Sequence, residues 1–304
     1  MKVKTINAVL TKKVRDWIGT LPEEMREQVM NDTIVTGGCI ASMLLREKVN
    51  DFDVYFRSRD TVIAVAQHYV NQFLANRKPA KGQAADIFLD VTDDRVRIVV
   101  KSAGIAGEDD SGVEYGYFEG RPPAEAGAYV EEVMDIEDKY EEAEEVALET
   151  EGKYRPVFLS TNAITLQGRV QVILRFWGEP DAIHTNYDFV HCTNYWTKRG
   201  VVLRQDALES LLTKELRYVG SKYPVCSVIR IRKFIARGWT INAGQIVKMC
   251  FQISKLDMED LRVLEDQLTG VDVAYFMEVV RLLKEKDEER VDSAYLLEII
   301  ERMF

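Results

Sequence analysis

The spacing of apolar residues predicts alternating helices and strands at the start of the chain. Apolar positions recur at helical spacing over residues 11–32, and Pro22 divides this stretch into two predicted helices. The β-branched run TIVTGG ends in two glycines at residues 37–38, and helical composition returns over residues 39–47. The stretch DFDVYF, residues 51–56, then alternates polar and apolar side chains, as a half-buried strand does.

The mixed pattern continues to about residue 200. An amphipathic helix is predicted over residues 59–77, and a short helix over residues 178–187, where Pro180 suits the first turn. Strands are predicted over residues 85–91, 95–100, 154–166, 169–178 and 188–196. From about residue 205 the pattern is helical throughout. We therefore predict an α+β fold, with a mixed α/β domain at residues 1–200 and a helical domain at residues 201–304.

Composition fits a soluble globular protein, since 46% of the residues are hydrophobic and 30% are charged. The formal net charge is −10, and much of it comes from residues 104–151, which we predict to be an acidic insertion. One interpretation of this insertion is a solvated acidic helix or flexible segment, and the other is an electrostatic gate or nucleic-acid mimic.

Targeting signals and cysteine spacing point to the cytoplasm. The longest apolar runs are too short to span a bilayer, and the N-terminus lacks the apolar core of a signal peptide. The cysteines lie far apart and form no CxxC pair, which argues against a zinc site or a disulfide framework. They are Cys39, Cys192, Cys226 and Cys250.

Two aspartates flank a core phenylalanine in the predicted strand at residues 51–56. Side chains two residues apart on a strand share a face, so Asp51 and Asp53 project together while Phe52 turns inward. Two carboxylates this close repel each other when both are ionised, and a divalent cation removes that penalty. Oxygen ligands of this kind suit Mg²⁺, which completes its shell with water and substrate phosphates.

The two glycines before the predicted helix provide the complementary half of such a site. A turn at Gly37 and Gly38 lets backbone N–H groups approach phosphate oxygens, and the N-terminus of the following helix favours an anion. The combined interpretation is a nucleoside triphosphate (NTP) held by the turn and two Mg²⁺ ions held by the aspartates. In a two-metal displacement, one ion activates the attacking oxygen and the other stabilises the leaving pyrophosphate.

The stretch GGCIASMLLREKVNDFDVYF resembles the signature of nucleotidyltransferases of the DNA polymerase beta superfamily. Within it, the pattern is most similar to the CCA-adding enzyme and poly(A) polymerase group. The resemblance implies a head with a mixed sheet and flanking helices, Mg²⁺ dependence, and transfer of a nucleoside monophosphate with release of pyrophosphate. It implies that Asp51 and Asp53 bind metal, and that Gly37 and Gly38 bind phosphate.

Residues 207–241 are similar to the neck segment that follows the catalytic head in CCA-adding enzymes. The residues that match best are Arg230, Lys233, Phe234 and Gly238. The Glu-Asp pair expected before the basic helix is absent, and so is the Arg-Asp expected shortly after the glycines. The first departure puts specificity for CCA addition in doubt.

This superfamily usually has a third acid on a neighbouring strand, which helps to bind a metal and takes the proton from the attacking hydroxyl. Asp188 is our first choice, because it opens the predicted strand before the helical half. Asp90 is the second choice, and Asp86 shares its face of that strand. The competing interpretation of Asp188 is a residue of a helix-to-strand turn.

Residues 213–248 carry the densest group of cations in the chain. Interleaved aromatic side chains make this segment suitable for a triphosphate, a stacked base or an RNA backbone. The alternative is an ordinary helix surface. The basic residues are Lys214, Arg217, Lys222, Arg230, Arg232, Lys233, Arg237 and Lys248. We predict that Arg230 and Lys233, together with Arg175, contact the nucleotide phosphates.

Three functions follow from these features. The first is transfer of a nucleoside monophosphate to a nucleic-acid end, with RNA or tRNA as the acceptor. The second retains the chemistry but uses a hydroxyl of a protein or a small molecule. The third is a non-catalytic module that binds nucleotides or has a structural role. The acidic net charge favours the second over the first, whereas the basic segment favours the first.

Overall fold

The computed structural model describes residues 1–76, 87–93, 95–99, 104–106, 154–160 and 162–258, together with Asp260, Val263 and Gln267. The chain divides into two compact units. The first comprises Met1–Asp110 and Thr150–Val219, and the second contains the described residues from Gly220 onward. No helix among these residues is both long and apolar enough to cross a membrane.

The first unit is built around an eight-stranded mixed sheet with the order β10-β9-β1-β2-β8-β7-β6-β5. Neighbouring strands are antiparallel except β2 and β8, which run parallel. Strands β3 and β4 form a separate antiparallel pair. The strands are β1 (Thr33–Thr36), β2 (Phe52–Phe56), β3 (Phe88–Val91), β4 (Val96–Val99), β5 (Gly104–Ala106), β6 (Pro156–Ser160), β7 (Ala163–Leu166), β8 (Val170–Trp177), β9 (Tyr195–Thr197) and β10 (Gly200–Val202).

Six α-helices of the first unit flank these strands, and two further helices belong to the second unit, within the described residues. The first six are α1 (Val3–Ile18), α2 (Glu23–Asp32), α3 (Gly38–Leu45), α4 (Arg59–Asn76), α5 (Pro180–His184) and α6 (Gln205–Thr213). A 3₁₀ helix occupies Val190–Cys192. The helices of the second unit are α7 (Pro224–Ala236) and α8 (Ala243–Ile253).

The core lies between one face of the sheet and the helices α1 and α4. Helix α1 buries one apolar stripe against the sheet, and Trp17 of this stripe donates a hydrogen bond from Nε1 to the Tyr69 hydroxyl at 2.7 Å. Alternate residues of the central strands, such as Val54 and Val172, join the same core. Helix α3 is apolar on nearly every side, and its first half is buried accordingly.

The α+β fold is confirmed: a mixed sheet with flanking helices is followed by helices. Helix α1 begins at Val3, eight residues before the predicted start at Thr11, because Ile6 and Leu10 extend its buried stripe. Residues 154–166 form two strands rather than one, and Ser160 closes the turn between them by accepting from the Ala163 N–H. The predicted insertion at 104–151 lies outside the described residues except for β5.

The predicted strand over residues 188–196 is wrong. The chain instead forms the 3₁₀ helix Val190–Cys192, and only Tyr195–Thr197 pairs as a strand. The Thr193 hydroxyl donates to the Val190 carbonyl at 2.7 Å and supports the turn, so a local side-chain hydrogen bond overrides the alternating pattern. Most of the helices predicted after residue 257 lie outside the described part of the chain.

Helices α7 and α8 belong to the second unit. Helix α7 starts with Pro224 in its first turn, and α8 is capped by Asn242, whose side chain accepts from the Gln245 N–H. Phe234 and Trp239 pack edge to face at the end of α7, with ring centroids 5.8 Å apart. The predicted domain boundary at residue 200 stays a prediction.

Candidate functional site

The glycine turn connects the end of β1 to the start of α3. Gly37 has a φ of 96° and a ψ of −154°, a conformation that is essentially restricted to glycine. A Cβ at this position would lie 2.5 Å from Oδ2 of Asp53. Gly38, in contrast, opens α3, and a Cβ there would meet nothing within 4 Å. The structure thus brings the first glycine directly against the carboxylate of Asp53, and it leaves room above the second.

Asp53 reaches the turn because β1 and β2 are paired. In the antiparallel register it lies opposite Thr36, which is the residue before Gly37. Asp51 comes just before β2, and alternation places it on the side of Asp53 and away from the buried ring of Phe52. The predicted juxtaposition of the turn with this strand is therefore present in the fold.

Both carboxylates affect the pKa of the Cys39 thiol. Burial raises the pKa of Cys39 well above its usual value, and the negative charges of Asp53 and then Asp51 raise it further. Cys39 lies in the first turn of α3, so both carboxylates act on the N-terminal end of this helix. Cations and phosphate groups would meet here, because the helix N-terminus favours anions and the aspartates favour cations.

A buried hydrogen-bond network holds the turn in place. The Gly37 N–H donates to the Cys192 carbonyl at 3.1 Å. The Thr36 hydroxyl donates to the Asn194 carbonyl at 2.9 Å, and Nε2 of His184 lies 2.9 Å from the same hydroxyl oxygen. Since this hydroxyl has a single proton, the imidazole must donate from Nε2, which assigns the tautomer of His184.

The environment of His184 favours its neutral form. Burial lowers its pKa to about 4, and the positive charge of Arg204 adds to the effect. Its Nδ1 is buried without a hydrogen-bond partner among the described residues. Nothing in the sequence pattern indicated this role, because Thr36 and His184 are 148 residues apart and meet only in the folded sheet.

Aromatic rings surround the network beneath Asp53. His184 packs against Tyr187 and Tyr195, with ring centroids 5.1 and 5.9 Å away. Burial raises the pKa of Tyr187, and the nearby Tyr55 and the charge of Asp53 raise it further. These buried rings exclude water from the region beside the carboxylate, and a lower local dielectric strengthens electrostatic interactions there.

Asp188 lies in the bend between α5 and the 3₁₀ helix and not on a strand. The residue is 8% exposed, and its carbonyl accepts from the Val219 N–H at 2.9 Å. Asp90, the second choice, lies on β3 and forms an ion pair with Arg97 at 2.6 Å. Asp86 lies outside the described residues. The role of Asp188 as third carboxylate stays a prediction.

The predicted phosphate-binding cations lie in different parts of the chain. Arg175 lies on β8, with its guanidinium 6.0 Å from the centroid of the Phe176 ring. Arg230 and Lys233 lie on α7 in the second unit. Their contacts with a nucleotide stay predictions.

Asp51 and Asp53 fit a Mg²⁺ ion that takes its other ligands from water and phosphate. Within the described ranges, no group of three or more His, Cys, Asp or Glu residues could hold a metal ion. Among the described residues, the candidate metal ligands are thus the two aspartates. Such a set suits an ion that arrives with a nucleotide, since its phosphates supply the missing oxygens.

The fold and the site together define an α+β protein in which a glycine turn and an aspartate pair meet at the centre of a mixed sheet. The chain belongs to the Gabija anti-defense 2 family, whose model matches residues 8–214. None of the curated proteins compared with the chain matches it.

Solved structures to which the chain is similar include CCA-adding enzymes. The enzyme of Bacillus stearothermophilus in complex with CTP is 12% identical over 80% of this chain and 45% of its own, with a TM-score of 0.35. The enzyme of Thermotoga maritima complexed with tRNA is 10% identical over 89% of this chain and 54% of its own, with a TM-score of 0.37. The chain thus spans about half the length of these proteins. Scores this low leave its function to be argued from its own residues.

Proposed function

We propose that the protein is a Mg²⁺-dependent nucleotidyltransferase, which moves a nucleoside monophosphate from an NTP to an acceptor hydroxyl and releases pyrophosphate. The observation that carries this proposal is the contact between the Gly37 backbone and the Asp53 carboxylate. It supports a site in which phosphate groups and a cation are bound side by side. The resemblance of the GG and DFD stretches to the polymerase beta superfamily supports the same reaction.

Each part of the site has a defined task in this proposal. The N–H groups of the first turn of α3 bind the phosphate oxygens of the NTP. Asp51 and Asp53 hold Mg²⁺, which neutralises charge on the phosphates when it is bound. The acceptor oxygen forms a bond to the α-phosphorus, the bond to the pyrophosphate oxygen breaks, and the hydroxyl proton passes to Asp188, the third carboxylate in this proposal. The hydrogen bond between Thr36 and His184 holds the glycine turn beside Asp53.

We propose that the acceptor is the end of a nucleic acid, and that this nucleic acid is RNA or tRNA. The basic residues of α7, Arg230 and Lys233 among them, support it, since cations beside aromatic side chains suit an RNA backbone. We also propose that the protein acts in the cytoplasm, where the four free cysteines stay reduced.

Membership of the family favours a second candidate. Its description is that of an anti-defense protein directed against Gabija. A transferase could oppose a defence system by attaching a nucleotide to one of its components, and a protein hydroxyl would then be the acceptor. The reaction and the site are the same in both candidates.

Labelled nucleotides distinguish the candidates. The protein is incubated with each α-labelled NTP, Mg²⁺ and extracts of cells with and without the Gabija system. We expect label in the nucleic-acid fraction. Label in a protein found only in the extract with Gabija would favour the second candidate. Binding of NTP without transfer to either fraction would contradict both and leave a non-catalytic nucleotide-binding module.

A further inference from the structure

A row of side chains crosses four strands of the larger sheet and begins at Asp53. Asp53 on β2 is in register with Gln171 on β8, Gln171 with Thr165 on β7, and Thr165 with Phe158 on β6. All four side chains are half-buried. We call Gln171, Thr165 and Phe158 the acceptor strip, because of the role inferred below.

The adjacent row shows which face of the sheet the strip occupies. Its members are in register one residue further along the strands, and each is at most 1% exposed within the core formed with α1 and α4. They are Val54, Val172, Ile164 and Leu159. Because side chains alternate across a strand, the strip lies on the opposite face, where its side chains retain access to solvent.

The order of the strands determines on which side of Asp53 the strip lies. The glycine turn follows β1, Asp53 lies on β2, and the strip starts on β8, so the turn and the strip flank Asp53 on opposite sides. This step rests on the proposed function, in which the turn holds the leaving pyrophosphate. In an in-line displacement the attacking oxygen approaches the phosphorus opposite the leaving group. The attacking hydroxyl therefore comes from the side of β8.

We propose that the acceptor strip binds the acceptor, and that this acceptor is the end of a single-stranded RNA. The Gln171 amide both donates and accepts hydrogen bonds beside the reacting hydroxyl, and Thr165 adds a hydroxyl one strand further. Phe158 lies three strand spacings from Asp53, about 14 Å. Its ring thus reaches a base upstream of the reacting end, where an aromatic side chain provides a surface for stacking.

The side chains of the strip favour a nucleotide over a peptide. The amide and the hydroxyl form hydrogen bonds with sugar hydroxyls, and the aromatic ring stacks on a base. Arg175 lies four residues after Gln171 on β8, which places a cation on the strand where the strip begins.

The experiment uses the full chain and a short single-stranded RNA with a free 3′-hydroxyl. RNA binding is measured by fluorescence anisotropy, Mg²⁺-dependent NTP binding by calorimetry, and extension by gel. The variants are Gln171→Met, Thr165→Val and Phe158→Leu, which keep size while removing the amide, the hydroxyl and the ring. Gln167→Met in the turn before β8 is the matched control, since Gln167 is half-buried and lies outside the strip. Melting curves verify the fold of each variant.

We expect Phe158→Leu to weaken RNA binding and raise the KM for RNA by about tenfold, because loss of stacking on one base has this size. Gln171→Met and Thr165→Val should act in the same direction, with NTP affinity unchanged and with Gln167→Met like the wild type. If all three variants bind and extend RNA as well as the wild type does, the role of the acceptor strip in RNA binding is overturned but the proposed function is not. Transfer by the wild type to protein alone would overturn the choice of RNA. Failure of the wild type to bind any NTP would overturn the proposed function, and the strip with it.

Discussion

The backbone of Gly37 and the carboxylate of Asp53 are in such close contact that no side chain fits between them: a Cβ on residue 37 would lie 2.5 Å from Oδ2 of Asp53. The same glycine has a φ of 96° and a ψ of −154°, which other residues adopt only at a cost of about 1–3 kcal/mol. Two independent constraints, conformation and space, thus require glycine at this position.

The first prediction concerns Gly37→Ala. We expect it to reduce the free energy of unfolding by about 1–3 kcal/mol from backbone strain alone, and to abolish Mg²⁺-dependent NTP binding because Asp53 is displaced. Urea denaturation and calorimetry measure the two effects. Gly38→Ala is the matched control, since its Cβ meets nothing within 4 Å and it should leave stability within about 1 kcal/mol of the wild type. Equal stability of both variants would contradict the structural argument.

The second prediction concerns Asp51→Asn and Asp53→Asn. Each should lower nucleotidyl transfer by at least about a hundredfold, because a ligand of the cation is lost while the shape of the side chain is kept. Stability should not fall, since each substitution relieves repulsion between two carboxylates. Asp60→Asn on the exposed start of α4 is the control for the loss of one negative charge. Full transfer by Asp53→Asn would refute the assignment of the metal site.

The features of the site that the sequence predicts are those whose parts are close along the chain. Gly37 and Asp53 are sixteen residues apart, and one helix and one connection separate them. The alternation around Phe52 then determines on which face of the strand the aspartates lie. Side chains of a strand point to one of two faces, and Phe52 occupies the face that packs into the core.

Features built from distant segments could not be predicted in this way. The hydrogen bond between Thr36 and His184 and the register of Asp53 with Gln171 depend on which strands become neighbours. The alternation around Asp188 predicted a strand, but the backbone there turns, with a hydroxyl of Thr193 bonded to the preceding helix. A short alternating stretch fits both outcomes, and only the packing of the 3₁₀ helix near the glycine turn selects between them.

The third prediction addresses the third carboxylate. Asp188→Asn should lower transfer by about ten- to a hundredfold, because it removes the carboxylate that we propose for proton transfer or metal binding, with little change in NTP affinity. Asp90→Asn should leave transfer unchanged, because Asp90 is engaged with Arg97 on the separate strand pair β3–β4. Steady-state kinetics of both variants provide the test. The reverse ranking would move the third carboxylate to Asp90.

The fourth prediction concerns the pH dependence of stability. The folded-state pKa of His184 is about 4, below its ordinary value of 6.5, so the unfolded chain binds more protons between these values. The stability that neutral His184 contributes is therefore complete above pH 6.5 and is lost as the pH falls toward 4. His184→Gln keeps an N–H donor for Thr36 but has no titrating group. Across this pH range its free energy of unfolding should therefore fall by roughly 1–3 kcal/mol less than that of the wild type.

Urea midpoints measured from pH 7 to below pH 5 provide this comparison. His68→Gln is the matched control, because His68 is only half-buried and burial lowers its pKa as well. We expect a smaller difference for His68→Gln than for His184→Gln, since a more exposed imidazole loses less on protonation. Parallel stability curves for the wild type and His184→Gln would show that the pKa of His184 is not lowered in the folded protein.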